Sequence, residues 1–237
     1  MPVFNAYVDG FNLYMGALKG RPELKWLDLV AFCKAARPDM QLGKIYFFTA
    51  AISEKYPGDD APRRQEKYLR VLKSQGIEIV KGKFQKNKRW LPLYSVARRQ
   101  VIEPILPSWL GITQLAINSS ARAARPYQPK VRIIEFKEKG SDVNLGSYLL
   151  RDAFTADISG ALVVTGDSDL VTPVLFAGQF GLDVKVLVPH REHGSNHLRT
   201  CASSLDYVHK SLLVSCQLQK TYVAPNGRHI VCPPEWT

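Results

Sequence analysis

Three short acidic motifs stand far apart in the chain: Val8-Asp9-Gly10-Phe11-Asn12, Lys139-Gly140-Ser141-Asp142-Val143 and Thr165-Gly166-Asp167-Ser168-Asp169. Carboxylates that share a site repel one another unless a cation lies among them, and their oxygens suit hard divalent ions. A divalent-metal site is therefore the chemistry these residue types offer, provided the fold brings them together. Singly, each motif has a plainer reading. Asp9-Gly10 suits a turn after a strand and Asp142 a helix N-cap, because Asp is favoured in both places. Asp167-Ser168-Asp169 is harder to reduce to a cap, which needs one side chain where this turn offers two carboxylates.

The elements around these motifs decide whether they can meet. The first and third each follow an apolar, strand-like run, and the second opens a helix-like run. Strands are expected at residues 5–8, 44–50, 77–80, 131–136, 162–165 and 184–188, the last of these closing the core. Helices are expected from residue 13, across 27–38, and at 64–75, 142–156 and 170–179, with one more around 197–213. Strand and helix alternate, and the strands are apolar on both faces. This predicts an α/β fold, a Rossmann-like αβα sandwich on a mostly parallel sheet, whose C-terminal strand ends gather the acids. Residues 82–130, with Pro92, Pro104 and Pro107, break the rhythm and read as a basic insertion of hairpin or loop character. Asn226-Gly227, between Thr221-Tyr222-Val223 and His229-Ile230-Val231, predicts a C-terminal hairpin. The expected division is a main domain over 1–213 with a tail over 214–237.

Composition narrows the partners. A chain of 237 residues, 46% of them hydrophobic, can bury a substantial core. No apolar run approaches the roughly 20 residues that cross a bilayer, so a soluble cytoplasmic protein without membrane contact is expected. Cys33, Cys201, Cys216 and Cys232 form no Cys-x-x-Cys pair and read as reduced thiols. The net charge of +11 favours a polyanionic partner. Much of that charge lies in the insertion, where Lys86, Lys88, Arg89, Arg98 and Arg99 interleave with Trp90 and Tyr94, a mixture suited to phosphate contact and base stacking. A solvated insertion whose aromatic residues pack its own small core is the alternative there. His190, His193 and His197 match no common zinc spacing, and His193 is read as a phosphate contact. Lys139 is either a phosphate contact or a surface charge.

The three motifs in this order, with Asp152 on the helix after Asp142 and Gly181 before a strand, resemble the NYN domain family of the PIN-like nuclease group. The resemblance covers about residues 3–213, leaving out the insertion and the hairpin. It implies a pocket that holds Mg²⁺ or Mn²⁺ and hydrolyses RNA phosphodiester bonds, single-stranded or structured. Carried over, Asp9, Asp142, Asp167 and Asp169 are the catalytic and metal-binding acids. Asn12 is the amide beside the first acid, Ser168 hydrogen-bonds within its turn, and Asp152 is a supporting acid. Asp152 shares a stripe with Leu145 and Leu149, so it should be buried and bonded, most simply to backbone N–H groups of a neighbouring loop.

Two other functions compete. Some NYN-like chains are assigned to NADH-dependent hydroxylation of pyridine-type compounds, although no Gly-x-Gly-x-x-Gly follows the first strand here. A non-catalytic RNA-binding regulator is the other. A homodimer would cover Tyr222, Ile230 and Trp236 of the hairpin, unless they pack on their own domain.

Overall fold

Alternation along the first strand, β1 (Val3–Asp9), sends Phe4, Ala6 and Val8 into one apolar layer and Tyr7 into another. The strand is buried on both faces, as a central parallel strand must be. The structure is a computed structural model that describes residues 1–52, 54, 58–92, 130–155, 157–190 and 196–237, without the side chains of 84–92, 130–138 and 196. Met1–Phe84 and Glu138–Thr237 form one compact unit and Gln85–Lys137 a second.

From β1 the chain enters α1 (Gly10–Leu13), which runs into a π-helical turn at Tyr14–Leu18. It continues through α2 (Leu29–Ala36), β2 (Gln41–Ala50), α3 (Ala61–Ser74), β3 (Glu78–Pro92) and β4 (Lys130–Lys139). Then come α4 (Ser141–Thr155), β5 (Gly160–Val164), α5 (Val171–Gln179), β6 (Asp183–Val188), α6 (Asn196–Cys201), β7 (Ser204–Tyr207) and α7 (Lys210–Ser215). A separate two-stranded hairpin, β8 (Thr221–Val223) and β9 (His229–Val231), follows.

The main sheet has the order β4-β3-β2-β1-β5-β6-β7, and the six strands from β3 to β7 in that order are parallel. One layer packs Leu13, Leu29, Phe32, Leu69, Leu72 and Leu213 against the sheet, so α1, α2, α3 and α7 cover that face. Leu145, Leu149, Val174 and Leu198 place α4, α5 and α6 on the other. The fold is thus the expected α/β, Rossmann-like αβα sandwich. Successive connections leave β1 toward β2 on one side and return to β5 on the other, so the sheet's switch point lies between β1 and β5.

One expectation about the elements changes. The helix expected around 197–213 is instead two short helices separated by a strand. Ser203 stops α6, its N–H bonding Val184 O at 2.9 Å and its Oγ accepting from Val184 N at 3.0 Å. That pairing starts β7 alongside β6, which makes β7, not β6, the last strand of the sheet. In the stretch read as an insertion of hairpin or loop character, β3 continues to Pro92 and β4 begins at Lys130, so the strands expected at 77–80 and 131–136 run further than their patterns. In the hairpin, Val223 and Val231 are exposed, while the other face packs on its own chain. Tyr222, Ile230 and Trp236 pack around Trp26, Val71 and Cys232, and Trp26 Nε1 donates to Gln219 O at 2.9 Å. Tyr222, Ile230 and Trp236 thus take the second of the two arrangements expected of them, packing on their own domain.

Among the described residues, no helix is long and apolar enough to cross a membrane.

Candidate active site

The register of β1 and β5 pairs Val8 with Val164, so Asp9 and Thr165 leave the sheet side by side. Thr165 is fully buried and donates from Oγ1 to Asp9 Oδ2 at 3.2 Å. Asp9, itself only 3% exposed, caps α1 by accepting from Asn12 N at 2.9 Å and takes a second bond from Asn12 Nδ2 at 2.8 Å. The other end of the same amide, Asn12 Oδ1, accepts from Gly166 N at 3.3 Å. One side chain thereby ties the turn after β1 to the turn after β5. Gly10 permits the tight start of α1, because a Cβ there would stand 2.5 Å from Phe47 Cζ and 2.9 Å from Phe48 O.

The turn after β5 is built on its own aspartate. Asp167 N donates to Thr165 Oγ1 at 3.1 Å, and Asp167 Oδ1 accepts from Asp169 N at 3.0 Å, which caps the 3₁₀ turn Ser168–Leu170. Asp167 is half-buried and Asp169 exposed. The expected hydrogen-bonding role of Ser168 is taken instead by Thr165 and the two aspartates. Ser168 is exposed, because the turn puts its side chain outward.

Asp142 arrives from the opposite layer, in the first turn of α4 after Gly140 and Ser141 rather than at the N-cap. Gly82 on β3 sets this approach, since a Cβ there would lie 2.6 Å from Ser141 Oγ and 2.9 Å from Lys139 O. Burial pushes the half-buried Asp142 carboxyl up to about 6, and the charges of Asp9, Asp167 and Asp169 push in the same direction. The four acids named from sequence therefore share one electrostatic site. Among the described residues, no three His, Cys, Asp or Glu side chains are gathered into a ready metal cage. The donor chemistry of the four carboxylates fits a hard divalent ion.

Asp152 belongs elsewhere. Ten residues along α4 from Asp142 amounts to about 15 Å of helix. There Asp152 is buried and accepts from Asn5 Nδ2 at 3.0 Å, Tyr7 OH at 2.9 Å and Arg151 Nη2 at 2.6 Å. Its partners are side chains of β1 and α4, not loop N–H groups, because α4 lies across β1 at this point. Burial and then the Asp152 charge push the Tyr7 hydroxyl far up, and Tyr46 up to about 12. The hydrogen bond to Asp152 in turn raises Arg151.

Lys139 is exposed just before α4. Lys86, Lys88, Arg89 and Trp90 fall on β3 where side chains lie outside the described residues, and Arg98, Arg99 and His193 lie outside them altogether. Thr165 heads the third motif, but is given no role at the site by the sequence alone. Its signal is positional: it follows Val164, the register partner of Val8, just as Asp9 follows Val8.

No protein-family model matches the chain. A curated 6-hydroxy-3-succinoylpyridine 3-monooxygenase from Pseudomonas putida is 27% identical over 256 residues, spanning 97% of this chain and 74% of that protein. The crystal structure of a protein of unknown function from Vibrio parahaemolyticus matches with a TM-score of 0.50 at 17% identity, covering 88% of this chain and 94% of that one. The structural likeness shows the fold alone. The sequence match places an enzyme among the chain's relatives.

Proposed function

We propose that this chain is an enzyme acting at the Asp9, Asp142, Asp167 and Asp169 pocket, and that it hydrolyses RNA phosphodiester bonds with a divalent ion, Mg²⁺ or Mn²⁺. The observation that carries this reading is the electrostatic convergence of four carboxylates at the switch point of a parallel sheet. Such a set is costly to leave facing itself, and a cation relieves it. Asp9 and Asp167, from the two adjacent strand ends, would hold the ion, with Asp142 and Asp169 completing the set or orienting water. When bound, the ion would supply an activated water and neutralise charge on the phosphate. The protein's own groups do the positioning: Asn12 and Thr165 hold Asp9 in one rotamer, and Asp167 is held by the turn that it caps. The excess of basic residues draws a polyanion toward a pocket that would otherwise repel it. This agrees with the NYN-type resemblance of the three motifs.

A second reading, NADH-dependent hydroxylation of a pyridine-type ring, is favoured by the monooxygenase relative, which aligns over nearly the whole chain. On the comparisons alone it is the better supported of the two; the carboxylate pocket puts hydrolysis first. Purified protein in Mn²⁺ should cut a single-stranded RNA, with cutting lost in EDTA and in Asp167→Asn. NADH oxidation and oxygen uptake dependent on 6-hydroxy-3-succinoylpyridine, with RNA left uncut, would establish the second reading instead. Salt-sensitive RNA binding without cleavage would leave a regulator.

A further inference from the structure

The helical turn that carries Asn12 also presents an apolar ridge. Phe11 is 47% exposed, Tyr14 42% and Met15 41%, at the i, i+3 and i+4 spacing that puts three side chains on one face. Exposed aromatic residues are common singly, but these three are contiguous and stand beside the carboxylate pocket. Phe11 lies two residues from Asp9, which limits their Cα separation to about 7 Å.

The ridge is also held rigidly. Leu13, Ala17 and Leu18 are buried on the reverse face, and a Cβ on Gly16 would lie 2.8 Å from Pro189 Cβ, so the turn sits tight against the end of β6. At its start the amide of Asn12 is bonded to both Asp9 and Gly166. The turn is π-helical over Tyr14–Leu18, a distortion frequent at functional sites. A cation completes it: Lys25 Nζ stands 5.5 Å from the centre of the Tyr14 ring. A fixed, exposed aromatic surface with a cation at one end and a carboxylate pocket at the other matches a nucleotide, whose base stacks while its phosphates face the charged groups.

We propose that Phe11, Tyr14 and Met15 form a shelf on which a nucleobase stacks, next to the phosphodiester held at the carboxylates, with Lys25 contacting a neighbouring phosphate. This rests on the RNA reading above and adds a specificity element to it. None of the three shelf residues is a catalytic residue; they position the strand.

The test uses the full chain and a short single-stranded oligoribonucleotide containing one 2-aminopurine, in Ca²⁺ instead of Mn²⁺, so that stacking is read as fluorescence quenching without turnover. The parent should quench the probe. The double variant Phe11→Ala/Tyr14→Ala, with an unchanged melting temperature, should bind about tenfold more weakly and lose the quenching. Phe11→Tyr should retain it, and an oligonucleotide abasic at the probe position should bind parent and double variant alike. Equal quenching by parent and double variant overturns the shelf. So does an absence of binding, or quenching that a free pyridine compound reverses and excess nucleoside does not. The hydrolytic reading fails separately, if the parent in Mn²⁺ leaves RNA uncut while the shelf still quenches.

Discussion

Helix α4 carries two aspartates toward the same face of the sheet, and the two ends of the helix treat them in opposite ways. Asp152, near its C-terminus, is surrounded by donors: Asn5, Tyr7 and Arg151 all bond to it. Asp142, in the first turn, faces Asp9, Asp167 and Asp169, and both its burial and their charges raise its proton affinity. A carboxylate that holds a fold together is neutralised by the protein itself. One that stands among like charges invites something from outside to neutralise it. The contrast separates an acid that the fold itself uses from one that the proposed function would use.

Removing the structural acid should produce the larger loss of stability. Asp152→Ala strands a buried cluster of donors and should destabilise the fold by about 3 to 5 kcal/mol, read as a shift in the denaturation midpoint. The fraction that remains folded should keep its Mn²⁺-dependent activity. If it does not, Asp152 takes part in the pocket and the distinction breaks. The reverse pattern is expected at the other end. Asp167→Asn should lower RNA cleavage about 100-fold or more, near 2.7 kcal/mol in the barrier, with little change in stability. A variant that cleaves as well as the parent would remove Asp167 from the reacting set.

A divalent ion should sharpen the contrast next. Mn²⁺ at ten times its dissociation constant should stabilise the parent by about 1.4 kcal/mol, and should not do so once Asp9 and Asp167 are both replaced by Asn. An identical rise in melting temperature in that double variant would place the ion elsewhere. The smallest effect concerns Asp142 itself. Its folded pKa, about 6, lies above the ordinary value of 3.8, so the folded state binds the proton more tightly. Its penalty on stability is therefore absent below about pH 4, grows as pH rises through 6, and is complete above that. Asp142→Asn should thus stabilise the protein by about 1 kcal/mol at pH 7.5, the shift being discounted for a half-exposed group, and by nothing measurable at pH 3.5. Equal gains at both pH values would mean that repulsion within the pocket is not their cause.

Local pattern made most of the architecture legible. The alternation of apolar strands with amphipathic helices suffices for the αβα sandwich, because a sheet buried on both faces leaves continuous apolar runs that few other folds produce. Where the pattern was ambiguous, long-range pairing decided. Residues 197–213 look helical throughout, yet Ser204–Tyr207 is drawn out as a strand because the edge of β6 was open to be paired. Asp152 shows the same limit within the site. Its burial follows from the stripe of Leu145 and Leu149, but its donors lie 145 and more residues away on β1, and no local pattern announces them.

By itself the sequence determined which residues could do chemistry and at which ends of which elements they stand, because motif spacing and hydrophobic periodicity are local properties. Asp9, Asp142, Asp167 and Asp169 are all named on that basis. Only the tertiary structure decided that the four share one electrostatic site and that Asp152 lies outside it. It also decided that Thr165 and Asn12 bind the two turns together, and that Phe11 of α1 and Tyr14 of the π-helical turn are exposed. Each of those depends on the register of β1 against β5 and on the direction in which α4 crosses the sheet. Register and crossing are set by packing between segments far apart in the chain, which is where the information in a local motif ends.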